Sequence, residues 1–134
     1  LKLLVGVRSQ LATDPLLVSE EIGLGGARFA RGYDYSERSG DKGAQGYIEL
    51  AYEIKKQVGP FNGLTPYVSF DGGRVTNLAN GRGSGSLYST GAGVRFDVDR
   101  RTDASIEIAA PLSGPRYDTD TRDVRIRVSL TRYF

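Results

Sequence analysis

Residues 16–43 read LLVSEEIGLGGARFARGYDYSERSGDKG, and the interpretation of the whole chain depends on this stretch. It lies between two strand-like segments, yet it is too long and too rich in glycine to be a hairpin turn. Its centre, residues 25–33, combines arginines with aromatic side chains, which a passive linker does not need. Loops of this length inside ordered domains are usually functional or disordered. We predict that the stretch folds back into a β-barrel and that Arg31 anchors it there.

Period-two alternation of apolar and polar residues dominates the rest of the chain, and the last segment shows it best. The apolar residues of this segment fall on one face, which carries Val124, Ile126, Val128, Leu130 and Phe134. The opposite face carries Arg125, Arg127, Ser129, Thr131 and Tyr133. A helix would spread the apolar residues around its whole circumference, so the pattern predicts a β-strand.

The same alternation predicts five further strands upstream, and no segment has a convincing helical period. These strands fall within residues 1–8, 46–55, 64–75, 87–99 and 104–112. The predicted fold class is therefore all-β, an antiparallel meander of about six long strands. Strands of roughly nine to twelve residues suit a tilted crossing of a bilayer, which needs about 9–11 residues, whereas globular strands average about 5–6.

The connections between the predicted strands alternate in length along the chain. Residues 56–63 and 99–103 form short connections. Residues 76–86 and 113–122 form longer ones, and residues 16–43 form the longest. Counting strands puts every long connection on one side of the sheet and every short one on the other, which is the layout of outer-membrane barrels.

The composition excludes several classes of protein. The chain of 134 residues has no Cys and no His, which removes disulfides, thiolate metal sites and the commonest general base. No apolar run reaches about 18 residues, so no transmembrane helix is predicted, whereas barrel strands have a near-neutral average hydropathy. The net charge of +2 is small and the arginines are scattered, which gives no argument for binding nucleic acid. We predict no enzyme activity, no catalytic, cofactor-binding or metal-binding residues, and no cofactor.

Both ends of the chain bear on the interpretation. Leu1 begins inside a predicted strand, so we expect the chain to be part of a longer protein. Phe134 follows the last strand on its apolar face, where an aromatic residue can simply close a core strand. In outer-membrane barrels, a terminal Phe on the lipid face resembles the recognition signal for barrel assembly. Arg132 occupies a position on that face where such proteins usually carry an aromatic residue.

Several motifs together carry a family resemblance. Within the long loop, S-E-E-I-G-L-G-G at residues 19–26, A-R-G-Y at 30–33 and G-D-K-G at 40–43 resemble the S-E-x-F-x-L-G-G, V-R-G-Y and G-D-x-G run of two-partner secretion transporters. The sequence P-Y-V-S-F-D-G-G-R-V at residues 66–75 resembles the second signature of that family, F-x-D-x-G. The sequence A-A-P-L at residues 109–112, followed by a terminal strand, is similar to its last hairpin. These transporters are the haemolysin-activator class of outer-membrane barrels, within the superfamily that includes the barrel-assembly and chloroplast import pores.

The resemblance implies a sixteen-stranded pore of the Gram-negative outer membrane that exports one large partner polypeptide, as in type V secretion. Residues 1–134 would be the C-terminal segment of one barrel domain, with the upstream strands and the periplasmic POTRA domains absent. The loop at residues 13–45 would carry the Arg-Gly-Tyr motif into the lumen from the extracellular side. The implied partners are the exported polypeptide, outer-membrane lipid and the barrel-assembly machinery, for which Phe134 would be the signal.

The resemblance also implies that Arg31, at the tip of the loop, pairs with Asp71 on the inner wall of the barrel. Alternation independently places Asp71 on the polar face of its strand, and a guanidinium and a carboxylate match bidentately. Gly32 would allow an unusual backbone at the tip, and Tyr33 can pack while keeping a hydrogen bond. Gly73 completes the wall signature beside Asp71. The competing interpretations are a solvated loop arginine and an aspartate that belongs to a turn.

The functional prediction is an outer-membrane protein-translocation pore, and three alternatives remain open. One is a barrel of the same superfamily that inserts other barrels, and another is a relative with a fused lipase-like passenger upstream. The third is a soluble β-sandwich binding module, in which the apolar faces of the strands would bury against each other. Exposed aliphatic rows that need lipid or detergent would favour the barrel, whereas a clasped apolar core would favour the sandwich.

Overall fold

A computed structural model describes residues 1–115 and 120–134, which form two antiparallel sheets. The strands are β1 (Lys2–Gln10), β2 (Ile22–Leu24), β3 (Arg38–Gly40), β4 (Lys42–Ala51), β5 (Gly63–Thr76), β6 (Gly85–Asp99), β7 (Thr102–Pro111) and β8 (Arg125–Arg132). The large sheet has the order β1-β4-β5-β6-β7-β8, and β2 pairs with β3 in a small sheet. These strands confirm the prediction of an all-β antiparallel meander of six long strands. The described residues contain no helix with the length and hydropathy of a transmembrane span.

The register of the large sheet determines which side chains of neighbouring strands lie directly beside one another. Tyr47 lies opposite Asp71 between β4 and β5, and Tyr67 lies opposite Gly93 between β5 and β6. Gly93 in turn lies opposite Glu107 between β6 and β7. Because side chains alternate across a sheet, these residues all point to the same face. The pairings therefore gather the polar side chains of several strands into one region.

The two faces of the large sheet differ in character. The outer face carries aliphatic rows in which Val68 is 55%, Ile108 47% and Val128 71% exposed. Within residues 1–115 and 120–134, no second sheet packs on these rows. The inner face instead carries buried polar and charged side chains, which are Gln45, Glu49, Ser69, Asp71, Ser89 and Glu107. The sheet is therefore apolar on its open side and polar on its covered side.

The connection between β1 and β4 covers the inner face as a hairpin. A 3-10 turn at Val18–Glu20 leads into β2, which pairs with β3, and residues 25–37 form the tip of the hairpin. The hairpin buries a small apolar cluster against β5 and β6, and its members are Ile22, Leu24, Ala30, Tyr33, Val75 and Leu87. This cluster is the apolar core of the described chain, and it lies between the hairpin and the sheet.

The long loop predicted at residues 13–45 is more regular than expected. It contains the β2–β3 pair, and β4 begins at Lys42, so its predicted C-terminal boundary is wrong by a few residues. Strands of three residues are too short to show a hydrophobic period, which is why the sequence pattern did not reveal β2 and β3.

Asp41 ties two connections together immediately before β4. Its carboxylate accepts hydrogen bonds from the backbone N–H groups of Leu16 and Leu78, each at 2.5 Å. These donors stabilise the charged carboxylate, so the pKa of Asp41 lies below its ordinary value. Asp41 thereby joins the segment that enters the hairpin to the loop between β5 and β6.

Further contacts fasten the loop between β5 and β6 to the hairpin. The Glu21 carboxylate accepts hydrogen bonds from Ser39 Oγ at 2.6 Å and from Asn77 Nδ2 at 3.1 Å. Arg38 Nη1 donates to the carbonyl of Ser84 at 2.7 Å. The base of the hairpin is therefore held by an acidic side chain, Glu21, and a basic one, Arg38.

We predict that Asp41→Asn speeds hydrogen exchange at the Leu16 and Leu78 amides by roughly tenfold, because an amide side chain offers one acceptor oxygen where the carboxylate offers two. The measurement is the protection factor of each amide. Asp14→Asn is the matched control, since Asp14 is exposed and accepts a hydrogen bond from its neighbour Thr13. Unchanged protection in Asp41→Asn would contradict the role of Asp41 in joining the two connections.

The pH dependence of the same protection factors tests the charge on Asp41. The folded-state pKa is depressed, so the contribution of Asp41 is fully present above the unfolded value of about 3.9. It is lost as the pH falls through the folded-state pKa. We therefore expect constant protection at neutral and mildly acidic pH, and a loss only below about pH 4.

Candidate functional site

Residues 30–33, which we call the tip turn, meet the inner face of the sheet. Tyr33 N donates to the carbonyl of Ala30 at 2.9 Å and closes this turn around Arg31 and Gly32. Arg31 is 6% exposed and Tyr33 is completely buried. Arg31 is therefore not a solvated loop arginine, and its charge has to be balanced by the wall.

Arg31 contacts Asp71 through both its backbone and its side chain. Its backbone N–H donates to Asp71 Oδ1 at 2.9 Å, and Ser89 Oγ donates a short hydrogen bond to the same oxygen. Arg31 Nε lies 3.1 Å from Asp71 Oδ2 in an ion pair that is not a hydrogen bond. The bidentate geometry that we expected is wrong, because the guanidinium also has to reach two further carboxylates.

Glu49 and Glu107 bind the other end of the Arg31 guanidinium. Arg31 Nη1 donates to Glu49 Oε2 at 3.2 Å and to Glu107 Oε2 at 3.0 Å. Glu49 lies on β4, Asp71 on β5 and Glu107 on β7. A single guanidinium from the hairpin therefore contacts carboxylates on three strands of the sheet.

Two arginines of the sheet balance the charge that these carboxylates introduce. Arg95 Nη1 lies 2.7 Å from Glu49 Oε1, and Arg127 Nη1 lies 3.1 Å from Glu107 Oε1. With Arg31, three guanidiniums face three carboxylates, so the group has no net charge. Buried charges are tolerated only when they are paired in this way. We call the following six residues the charged cluster: Arg31, Arg95, Arg127, Glu49, Asp71 and Glu107.

Tyr67 on β5 supports the charged cluster from the wall. Its hydroxyl donates to Glu107 Oε2 at 2.7 Å, and the Arg95 guanidinium carbon lies 4.0 Å from the centre of its ring. Burial by itself lowers the pKa of Arg31, but the three carboxylates outweigh burial and raise that pKa above its ordinary value. Arg31 therefore stays cationic. Since all three carboxylates are engaged by cations, the arrangement fastens the hairpin and presents no free acid or base.

Gly32 lies directly against the backbone around the end of β7. A Cβ on Gly32 would lie 2.6 Å from Pro111 N and 2.7 Å from the carbonyl carbon of Ala110. The expectation that Gly32 supplies an unusual backbone is wrong, since the residue with a left-handed φ of 53° is Ala30. Gly32 is needed because two backbones approach too closely for any side chain to fit.

Tyr33 anchors the tip turn to the connection that follows β7. Its hydroxyl donates to the Gly114 carbonyl at 2.7 Å and accepts from the backbone N–H groups of Gly114 at 2.9 Å and Ser113 at 3.2 Å. Arg125 Nη1 donates to the Tyr33 carbonyl at 2.7 Å. Tyr33 therefore combines full burial with a saturated hydroxyl, which is how a buried tyrosine avoids a desolvation penalty.

Gly73 and Phe134 occupy different surroundings. A Cβ on Gly73 would lie 2.4 Å from the Ala44 carbonyl oxygen, so β4 passes too close to β5 for a side chain there. Phe134 follows β8 and is fully exposed, and the Arg132 guanidinium carbon lies 5.8 Å from the centre of its ring. The role of Phe134 as an assembly signal stays a prediction.

The sequence pattern did not identify Glu49 and Glu107 as partners of Arg31. Alternation places both on the polar faces of their strands, but it does not give the register between strands. Whether Glu107 on β7 lies close enough to Asp71 on β5 to share a partner depends on that register. A signal that points to them is the presence of acidic residues on the polar faces of three strands, more than Asp71 alone would require for one buried loop arginine.

We predict that Gly32→Ala lowers the free energy of unfolding by about 1–3 kcal/mol, because the added Cβ would press on the backbone around the end of β7. Gly114→Ala is the matched control, since a Cβ there would have no heavy atom within 4 Å. The measurement is denaturant unfolding in detergent, which covers the exposed aliphatic rows. Equal stability of both variants and the unaltered chain would show that the tip turn does not sit against β7.

Comparison with known families supplies an independent observation. The sequence model of the family described as Haemolysin secretion/activation protein ShlB/FhaC/HecB matches residues 1–96, which include the tip turn, Glu49 and Asp71. No curated protein and no solved structure matches the chain significantly. Members of the family are outer-membrane proteins of Gram-negative bacteria, and it is a secretion family rather than an enzyme family. Because the match covers well over half of the 134 residues, the chain belongs to the haemolysin secretion/activation family, ShlB/FhaC/HecB.

Proposed function

We propose that these strands form part of an outer-membrane pore that exports a partner polypeptide of the haemolysin or adhesin type, and that the hairpin is its plug. The observation that carries the proposal is the buried position of Arg31 among three carboxylates. It lies on the covered side of a sheet whose other side is apolar and exposed. The secretion family to which the chain belongs supports the same function.

The outer face of the sheet suits contact with lipid. The strands of the large sheet have between 8 and 15 residues, and a tilted crossing of a bilayer needs about 9–11. Exposed apolar residues recur along this face, among them Leu3, Val5, Ile48, Leu50, Val68, Phe70, Ile106, Ile108, Ile126 and Val128. A soluble β-sandwich would bury such rows, so the exposure of these side chains argues against that alternative.

We place residues 1–134 as the C-terminal segment of one larger barrel domain. β1 and β8 each have one edge that no described strand pairs with. Unpaired edges are not tolerated in lipid, and the smallest barrels have eight strands. In this proposal, upstream strands of the same protein pair with both edges, and periplasmic domains precede them.

The proposed partners follow from the two faces and the end of the sheet. The exported polypeptide would pass the inner face, outer-membrane lipid would cover the outer face, and the barrel-assembly machinery would recognise Phe134. An insertion factor of the same superfamily differs in its clients. Depleting an insertion factor lowers the amounts of many outer-membrane barrels, whereas depleting an export pore removes one partner from the medium.

Arg31 has the role of holding the plug in register on the wall. A buried charge pair contributes defined geometry more surely than it contributes net stability. Removing one partner is nevertheless costly, about 3–5 kcal/mol, because it leaves the remaining charges buried without compensation. The loss of Arg31 would leave Glu49, Asp71 and Glu107 with two guanidiniums where there were three.

We predict that Arg31→Gln, in the full-length transporter, lowers the amount of exported partner in the medium by about tenfold or more, because the plug loses its seat. Arg31→Lys should retain part of the export, since an ammonium supplies the charge but not the geometry that reaches three carboxylates. Arg82→Gln is the matched control, because Arg82 is exposed on the loop between β5 and β6. The transporter content of the outer membrane is measured in parallel.

Normal export by Arg31→Gln, at normal transporter abundance, would contradict the plug assignment. The double variant Arg31→Asp, Asp71→Arg is expected to stay defective, although it preserves the charges of that pair. The new carboxylate at the tip would face Glu49 and Glu107, whose oxygens now bind Arg31 Nη1. Full recovery by the double variant would show that these two glutamates do not take part.

A further inference from the structure

The tip of the hairpin is fastened on the side of β7 and β8, whereas its base is held by Gln10 of β1 and by the loop between β5 and β6. Gly32 lies against the backbone of β7, and Tyr33 is bound by the connection that follows β7. Arg125 on β8 donates to the Tyr33 carbonyl at 2.7 Å and also lies 2.7 Å from Asp34 Oδ1. These contacts bind the tip turn and Asp34 to the end of β7, to the connection that follows it and to the start of β8.

Two clefts border the hairpin on the side of β1. The cluster cleft, of about 820 Å³, starts at β1 and extends along the inner face past the charged cluster to Ser105 on β7 and Ser129 on β8. The rim cleft, of about 550 Å³, extends from Arg8 to Glu21 and Tyr35. Four of the residues that line the two clefts are common to both, and these are Arg8, Ala27, Arg28 and Phe29. Since the clefts adjoin at these residues, they form one path between the hairpin and β1.

The charges along this path differ from those of the charged cluster. Arg8 on β1 and Arg28 on the hairpin are exposed, and neither side chain makes an ion pair or a hydrogen bond within residues 1–115 and 120–134. The carboxylates that border the clefts are already engaged, since Glu21 binds Ser39 and Asn77, and the glutamates of the charged cluster bind arginines. Within the residues that the structure describes, the path therefore presents two unpaired guanidinium groups and no unpaired carboxylate.

The path also offers groups suited to a polypeptide backbone. Gln45 is 3% exposed and lines the rim cleft, and its Oε1 has no hydrogen-bond partner among the described residues. Phe29 packs against Tyr47 with ring centres 5.7 Å apart, which gives the path an aromatic side. A free acceptor, an aromatic surface and two cations together match an extended chain that carries N–H groups and carboxylates.

We propose that the exported polypeptide passes between the hairpin and β1, and that Arg8 and Arg28 bind carboxylates of its extended chain. This inference rests on the proposed export function and assigns it a route. It gives the two sides of the hairpin tip different tasks. Contacts with β7 and β8 hold the tip in place, and the side that faces β1 borders the passing polypeptide.

The first test reverses the charges of the path in the full-length transporter. The double variant Arg8→Glu, Arg28→Glu should lower export by about tenfold, because carboxylates of the partner would then meet like charges. Arg82→Glu is the matched control and should export normally. A partner whose Asp and Glu residues are replaced by Asn and Gln should lose its dependence on Arg8 and Arg28.

The second test maps the route directly by cross-linking. A photoreactive phenylalanine analogue replaces Phe29, and the matched control carries it at Phe70, which is 48% exposed on the outer face. With a partner stalled in transit by a folded tag, Phe29 should capture the partner and Phe70 should not. Since a single aromatic ring is exchanged for a similar one, this test does not depend on how well the charge-reversal variant folds.

The outcomes separate the route from the export function. If the unaltered transporter exports the partner, while Phe29 captures none and the charge-reversal variant exports normally, the route is wrong and the export function stands. If the unaltered transporter exports no partner, the proposed function fails and the route fails with it. Capture at Phe29 together with loss of export in the double variant supports the route.

Discussion

The structure depends on one buried guanidinium. Arg31 contacts carboxylates on β4, β5 and β7, and the charges balance only when Arg95 and Arg127 are included. Such a cluster is stable when complete and costly when any member is missing. The position of the hairpin on the wall is therefore fixed in one place, because a shift of the tip turn would leave at least one carboxylate unpaired. Close packing at Gly32 and the saturated hydroxyl of Tyr33 reinforce that position.

The need to pair these buried charges also explains why the sheet is polar on its covered face and apolar on its exposed face. A buried ionic cluster needs polar surroundings, and the inner face supplies them through Ser89, Tyr67 and the paired arginines. The apolar core between the hairpin and the sheet is small, so most aliphatic side chains of the strands lie on the opposite, exposed face. Lipid is the medium that suits such a face. The proposed contact with lipid and the proposed plug role of the hairpin therefore both rest on this one arrangement.

Much of this arrangement could be predicted from the sequence, but not all of it. The alternation of apolar and polar residues predicted the six strands and their faces. Motif resemblance singled out Arg31 and Asp71, and in the structure Arg31 Nε lies 3.1 Å from Asp71 Oδ2. Register between strands is a tertiary property, and for that reason Glu49 and Glu107 were not assigned to Arg31. The left-handed backbone at Ala30 and the close approach at Gly32 also escaped prediction, since neither leaves a periodic signal.

The most direct test of the central claim is an electron cryomicroscopy structure of the full-length transporter in a lipid nanodisc. The quantity to measure is the distance between the Arg31 guanidinium and the carboxylates of Asp71, Glu49 and Glu107. We predict ion-pair distances of about 4 Å or less to all three, with Val68 on the lipid side of the wall. An Arg31 side chain in open solvent, or a Val68 row packed inside a water-soluble core, would contradict the account.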